Sequence, residues 1–425
     1  MSKFLYQISR FLSVFLVLMY IFSGSYSFKR CSMLIISLIL FLIVSYMYEK
    51  KNIYFNITYC IYFVVLFLAF NISPFGYIHN QIMLSTIDRV PSAYIPKDHY
   101  FLYFKVFSVI SLICIFYLLI KNTKFKCIDI SIQKKEMFNV LIVFIFFLLP
   151  LFLFGGDLFR KILVSYCCFF IICLMSRNVN KKNFIYIFGI ISTIFIILSQ
   201  LEWRFVLVQY IIPPLFFYCY IMTSKSNRLS IKKKIVSISI AMLFVMLAIL
   251  TEMNKLNIEL NFENIMNIFT NYEVFFNWFN RQIYRIIGIW TVLGGNLIDY
   301  VDINGFYWGL SYIKFLSYPL SFEYIDLPKI SAGFVGANYA QPGLIGDGYS
   351  NFGFFGAIGN ILVVLSFAEY LWIRFINKPT VLRLLLSTVP FVSILVDGGT
   401  FNSIIFNSIF LIITLSLSLI GVKNK

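Results

Sequence analysis

Long apolar runs recur along nearly the whole chain and confine it to one environment. About twelve can be drawn, at 11–25, 32–48, 53–72, 101–120, 138–155, 159–176, 184–199, 205–222, 235–253, 352–373, 382–396 and 402–421. Each approaches or reaches the roughly 20 residues that cross a hydrocarbon core about 30 Å thick. No water satisfies backbone groups inside lipid, so a spanning segment must close its own hydrogen bonds. The expected fold is therefore an all-α polytopic membrane protein of about 12 transmembrane helices. Composition agrees. Of 425 residues, 60% are hydrophobic and only 12% charged, against about 25% charged in soluble domains. The run at 11–25 is followed by further runs and by no small-residue cleavage site, so it reads as a span rather than a cleaved signal.

The net charge is +17, and its distribution gives an orientation. Alternate connections carry Lys3, Arg10, Lys50, Lys51, the lysines of 121–135, Arg177, Lys181, Lys182, the basic cluster of 225–234, Arg374, Lys378, Arg383, Lys423 and Lys425. That is 22 basic residues, against about eight in the short connections opposite. Basic residues mark the cytoplasmic side. Both termini are expected there, with the one long connection, 254–351, outside. This orientation accounts for the excess charge, so no nucleic-acid partner is expected. The chain divides into spans one to nine (1–253), a large external loop (254–351) and spans ten to twelve (352–425).

Eight cysteines show no metal-ligand spacing and read as small buried hydrophobes. No Gly-rich phosphate loop, zinc motif or Ser-His-Asp order is visible. No metal and no cofactor is expected. The halves show no internal repeat, which many transporter folds carry.

Within the external loop, Phe262, Ile265, Ile268, Phe269, Tyr272, Phe276, Phe279, Ile283, Ile286, Ile287 and Trp290 recur at three- and four-residue spacing. They predict one amphipathic helix of about thirty residues, capped by Asn261 and ended at Gly294-Gly295. Its opposite face carries Glu273, Asn277, Arg281 and Arg285, each four apart, so they stack in one stripe. Such a stripe is either a solvated face or, with two guanidiniums in line at the interface, an anion clamp. The aromatic stretch 299–330 predicts a short helix between turns.

Several charges fall where lipid disfavours them. Glu202 and Arg204 flank a tight external turn. Glu252 ends span nine, and Asp397 ends span eleven. Ionisable groups at membrane depth are functional candidates. The only histidines, His79 and His99, lie in the external connection 73–100. This set lacks an activated nucleophile. It suits transfer from a substrate whose leaving group is already good, such as a diphosphate, where positive clamps stabilise the developing charge.

Gly346-Asp347-Gly348-Tyr349-Ser350-Asn351-Phe352-Gly353-Phe354-Phe355-Gly356 resembles the G-E-x-Y-x-N-F-G-x-x-G signature of the oligosaccharide repeat unit polymerases, the Wzy-type O-antigen polymerases. Gly309-Leu310-Ser311-Tyr312, with Pro319 and Pro328-Lys329, is similar to their upstream proline- and tyrosine-containing region, and Arg204 to their S-R turn. Asp347 stands where the signature has Glu. The resemblance implies a membrane glycosyltransferase that joins undecaprenyl-diphosphate-linked repeat units at the periplasmic face of the bacterial inner (cytoplasmic) membrane in lipopolysaccharide biosynthesis. It implies membrane lipid, a chain-length regulator and other assembly proteins as partners. On that reading Asp347 or Glu252 is the expected base, with His79 or His99 in reserve. Arg204, Arg281 and Arg285 are expected to bind the diphosphate, and Trp308, Tyr312, Tyr349 and Asn351 the sugars. The alternatives are an O-antigen ligase, which shares the chemistry, and a flippase or other transporter of the lipid-linked repeat.

Overall fold

In the computed structural model the described residues are chiefly 3–22, 289–313, 323–334 and 341–392, with isolated positions elsewhere. They are helical and fall into two compact units. One comprises Met1–Lys126, Asn280–Phe367 and Ser393–Ile405; the other comprises Cys127–Phe279, Ala368–Val392 and Phe406–Lys425.

The first unit opens with α1, Lys3–Phe22. Phe4, Ile8, Phe11, Phe15, Met19 and Phe22 are all exposed. Their spacing of three and four puts them on one outward stripe. α2, Ile289–Asn304, buries Leu293, Leu297, Ile298 and Val301. α3, Leu327–Gly333, begins with Pro328 in its first turn, where a missing N–H costs nothing. Leu297 and Val301 of α2 pack on Leu327 of α3, with Tyr307, Ile325, Ile330 and Phe334 around them.

Two sequence expectations fail here. Gly294 and Gly295 lie inside α2 rather than at a helix end. The predicted helix through 262–290 is also interrupted. Thr270 and Tyr272 are helical but Asn271 is not, and its Oδ1 accepts a hydrogen bond from the N–H of Glu273 at 3.1 Å. A side-chain oxygen two residues ahead of the N–H it serves is an N-terminal cap, so a helix starts at Tyr272. Of the stretch 299–330, where a short helix was expected, 299–304 belongs to α2 and 327–330 to α3, which runs on to Gly333; 314–322 lie outside the described residues.

α4, Gly343–Asn377, is 35 residues long and apolar enough to cross a membrane. It is not one rod. Phe352 (φ −140°, ψ 22°) and Gly353 (φ 63°, ψ −150°) leave helical geometry. The positive φ at 353 is one that glycine adopts at no steric cost. Beyond that turn the chain doubles back. The Asn360 side chain donates to the carbonyl of Leu344 at 3.3 Å, although an unbroken helix would hold residues 16 apart about 24 Å from each other. A Cβ added at Gly348 would strike the carbonyl oxygen of Gly356 and sit 2.7 Å from Cα of Ala357. Both pairs, 344 with 360 and 348 with 356, are equidistant from Phe352. α4 is thus a helical hairpin with a short arm, 343–351, and a long arm, 354–377. The short arm also lies against α2, where a Cβ on Gly346 would sit 2.8 Å from Cα of Gly294. That approach explains why glycine occupies the middle of α2.

In the second unit the end of the long arm buries Trp372 and Phe375, with ring centres 5.0 Å apart. The Arg374 guanidinium lies 5.1 Å from the Tyr370 ring centre. After Pro379 the chain enters α5, Val381–Val392, whose start is capped by Thr380, the Oγ1 accepting from the N–H of Arg383 at 3.3 Å.

Candidate active site

The hairpin's short arm and the turn after α2 build one polar cluster, wholly within the first unit. Asp347, Ser350 and Asn351 on the short arm are completely buried. Positions 347, 350 and 351 share one face of a helix, and that face meets the turn 305–313.

The Asp347 carboxylate is the hub. Its Oδ1 accepts from Ser311 Oγ at 3.0 Å and from Asn351 Nδ2 at 3.3 Å. Its Oδ2 accepts from the backbone N–H of Phe401 at 2.6 Å. Asn351 ties the same groups again. Its Nδ2 donates to Ser311 Oγ at 2.7 Å and to the Asp347 carbonyl at 2.8 Å, while its Oδ1 accepts from the N–H of Gly309 at 2.9 Å. The N–H of Tyr307 donates to the carbonyl of Ser350 at 2.9 Å. Buried polar groups must find partners or lose about 1–3 kcal/mol each, and here they find one another. Every short-arm residue of this set is matched to one turn or segment: Ser350 to Tyr307, Asn351 to Gly309, Asp347 to Ser311 and Phe401.

Tyr312 lies beside this cluster. Its hydroxyl donates to Asn360 Oδ1 on the long arm at 2.7 Å. Burial first, then the Asp347 carboxylate, pushes its phenol well above the ordinary tyrosine value, while hydrogen bonds to Asn360 and Asn351 act the other way. Tyr307 is raised to about 12 by burial and by Tyr300. Both phenols are neutral hydrogen-bonding groups at physiological pH.

The cluster has an aromatic edge. Trp308 is 72% exposed, and its φ of +51° makes it the one non-glycine residue with positive φ among the described residues. A bulky side chain in this region costs of order 1–3 kcal/mol. The flanking hydrogen bonds of Tyr307 and Gly309 to the short arm hold it there. Phe306 lies edge-on to Trp308 at 6.0 Å and to Tyr349 at 6.0 Å, and Phe352 lies edge-on to Trp308 at 6.4 Å. The Tyr349 hydroxyl donates to Asp302 Oδ1 at 3.1 Å.

Five of the sequence-derived site residues therefore meet: Trp308, Tyr312, Tyr349 and Asn351 around Asp347. Asn351, expected to bind sugar, is buried and occupied. The Asp347 carboxylate has no accessible surface, and both its oxygens accept from protein donors. In this geometry it holds neighbouring segments together rather than facing a substrate hydroxyl. Asp347 also lies inside the short arm and not at a helix start, so it is no cap for the long arm. Glu252, Arg204, Arg281 and Arg285, with His79, His99 and Asp397, lie outside the described residues. Asn360 and the Phe401 amide were not anticipated. Asn360 was visible as a lone amide in the apolar run 357–365; a backbone N–H leaves no mark in a sequence.

Residues 1–423 match a single protein family. The chain belongs to DUF6032. That family is described as one of unknown function. No curated protein and no solved structure matches the chain. In this DUF6032 chain the best-defined polar cluster is the one around Asp347.

Proposed function

We propose that the chain is a polytopic inner-membrane glycosyltransferase of the oligosaccharide repeat unit polymerase type. The observation that carries this reading is the hydrogen-bonded union of its two motif segments. Ser311 meets Asp347 at 3.0 Å and Gly309 meets Asn351 at 2.9 Å, and each partner belongs to a stretch that resembles a separate part of that family's pattern.

The reaction joins a lipid-linked repeat to a growing glycan held on undecaprenyl diphosphate. An acceptor hydroxyl attacks the anomeric carbon of the glycan. The new glycosidic C–O bond forms as the bond to the diphosphate oxygen breaks. The hydroxyl proton passes to a carboxylate or imidazole, and the electron pair leaves on the diphosphate. With Asp347 enclosed, Glu252 is the base this reading favours, with His79 or His99 behind it. Asp347, Ser311 and Asn351 position the turn that presents Trp308. The exposed Trp308 ring offers an apolar face for a sugar, and Tyr349 with Asp302 offers hydrogen-bonding groups beside it. Arg204, Arg281 and Arg285 hold the diphosphate.

A strain lacking the gene tests the reading through its lipopolysaccharide on a gel. Core carrying a single repeat supports a polymerase. Bare core with lipid-linked polymer in the membrane points to a ligase, and bare core without it to a flippase. Orientation is checked separately: a reporter active only in the periplasm scores positive when fused near Asn304 and negative near Lys233. Cytoplasmic activity at Asn304 inverts the topology.

The arginines give a further prediction. A guanidinium meets two anionic oxygens in fixed geometry, which lysine cannot reproduce. Arg281→Lys and Arg285→Lys shorten the polymer, and alanine is worse. Losing one such interaction lowers the rate about 30- to 1,000-fold, or about 2–4 kcal/mol. An unchanged ladder at normal protein levels would sink the clamp.

Trp308→Gly separates function from stability. Glycine relieves the positive φ, a gain of about 1 kcal/mol set against lost contact with Phe306 and Phe352. Protein levels and thermal stability stay near wild type while polymer length falls. A full-length ladder from this variant removes the ring from substrate binding.

A further inference from the structure

The outward face of α4 carries Phe352, Phe355, Val363, Ser366, Tyr370 and Ile373, all exposed and all uncharged. From Phe355 onward they keep helical spacing, with Gly359 bridging the gap to Val363. The first charge on this face is Arg374, followed at the same end by Lys378 and Arg383. The opposite end is aromatic: Phe352, Phe355 (83% exposed), Trp308 and Phe306 gather around the hairpin turn. Aromatic rings collect at membrane interfaces, and basic residues mark the cytoplasmic end of a span. From 354 to Arg374 is 20 residues, about 30 Å at 1.5 Å per residue, which equals the thickness of a hydrocarbon core.

We propose that this stripe is a lipid-contact surface whose outer edge lies at the hairpin turn, so that the short arm 343–351 is a re-entrant membrane segment. The arms run back along each other through the contacts of 348 with 356 and 344 with 360. If the turn marks the external interface, the nine residues of the short arm descend up to about 13 Å below it. Such a segment is tolerated only where protein covers it. The short arm meets that condition: Gly343 through Gly348, Ser350 and Asn351 are all buried, and Tyr349 is half-buried. The alternative, a hairpin standing above the bilayer, would start the hydrocarbon near residue 361. It would leave the exposed Phe355 in water and Arg374 and Lys378 within the apolar layer. Asp347 and its partners would then sit beneath the surface, enclosed by protein, with the aromatic edge at Trp308 above them.

The inference rests on the membrane reading of this chain and is independent of the polymerase chemistry. A genetically encoded fluorescent amino acid is placed singly at Phe355, Val363, Ser366 or Tyr370 of the full chain, which is reconstituted into phosphatidylcholine vesicles with bromines at defined acyl positions. Val363 and Ser366 lie about 12 and 17 Å along the helix from Phe355, on either side of the midplane. Quenching by bromines near the chain ends should be strongest at Val363 and Ser366, weaker at Tyr370, and least at Phe355. A peak at Tyr370, with Phe355 quenched by aqueous iodide instead, overturns the re-entrant arm and leaves the span intact. No lipid quenching at any of the four overturns both. All four positions are exposed or face outward, so each variant should reach the membrane at wild-type level.

Discussion

Asp347→Asn is expected to eliminate chain extension, and so are Ser311→Ala and Asn351→Ala. The Asp347 oxygens accept from Ser311, Asn351 and the Phe401 amide. An asparagine has one acceptor oxygen and one NH2. With its oxygen kept toward the fixed Phe401 N–H, its NH2 must face the NH2 of Asn351 and the hydroxyl of Ser311. A buried hydrogen bond of this charged kind contributes about 1.5–3 kcal/mol, and a buried donor left without a partner costs a further 1–3 kcal/mol or so. Lower membrane levels accompany the loss of polymer. Asp347→Glu keeps both acceptors and retains part of the activity. The comparison among the three positions decides the role. If Asp347 removed the substrate's proton, Ser311→Ala would cost little and Asp347→Asn would leave protein levels untouched. That pattern, read from the gel ladder and an immunoblot together, would reinstate Asp347 as the base.

The second large effect is steric. Gly348→Ala places a methyl group against the Gly356 carbonyl and 2.7 Å from Cα of Ala357, and Gly356→Ala strikes the Gly348 carbonyl in return. The obstacles are backbone, so no rotamer change relieves them, and the arms must separate. Overpacking costs about 1–3 kcal/mol where side chains can shift, and the expected loss here is at the top of that range or above it. Gly359→Ala is the control. Nothing lies within 4 Å of a Cβ there, and alanine favours a helix interior by roughly 0.5–1 kcal/mol over glycine. Thermal unfolding in detergent should rank Gly359→Ala at or above wild type and both hairpin variants far below it. Equal melting temperatures for Gly348→Ala and wild type would mean that the arms do not touch.

What the sequence disclosed, and what it hid, follows from the range of the interactions. The tenth apolar run starts at 352, and the backbone turns at Phe352–Gly353. Apolar patterning and a local glycine carry that information. The gathering of Ser311, Tyr312, Asp347 and Asn351 was expected only through motif resemblance, because residues about 40 apart leave no periodic signal. Gly294-Gly295 misled for the same reason. Glycine ends helices and also lets backbones touch, and only the arrival of Gly346 shows which use applies. The doubling back of α4 was equally hidden. Its short arm is polar enough to pass for loop, and its burial against α2 is a tertiary fact. Asn271 is a local signal: an asparagine two residues before Glu273 can begin a helix as well as ride within one.

The link from Asp347 to Phe401 has a consequence for how the protein is made. The two partners are 54 residues apart, and synthesis runs at about 5–20 residues per second. For roughly 3–10 s after Asp347 emerges from the ribosome, one oxygen of its carboxylate has no amide to accept from. Because the site closes only when the segment containing Phe401 arrives, chains truncated before that residue should be held as immature intermediates, open to proteases and membrane chaperones, whereas chains only slightly longer should escape them.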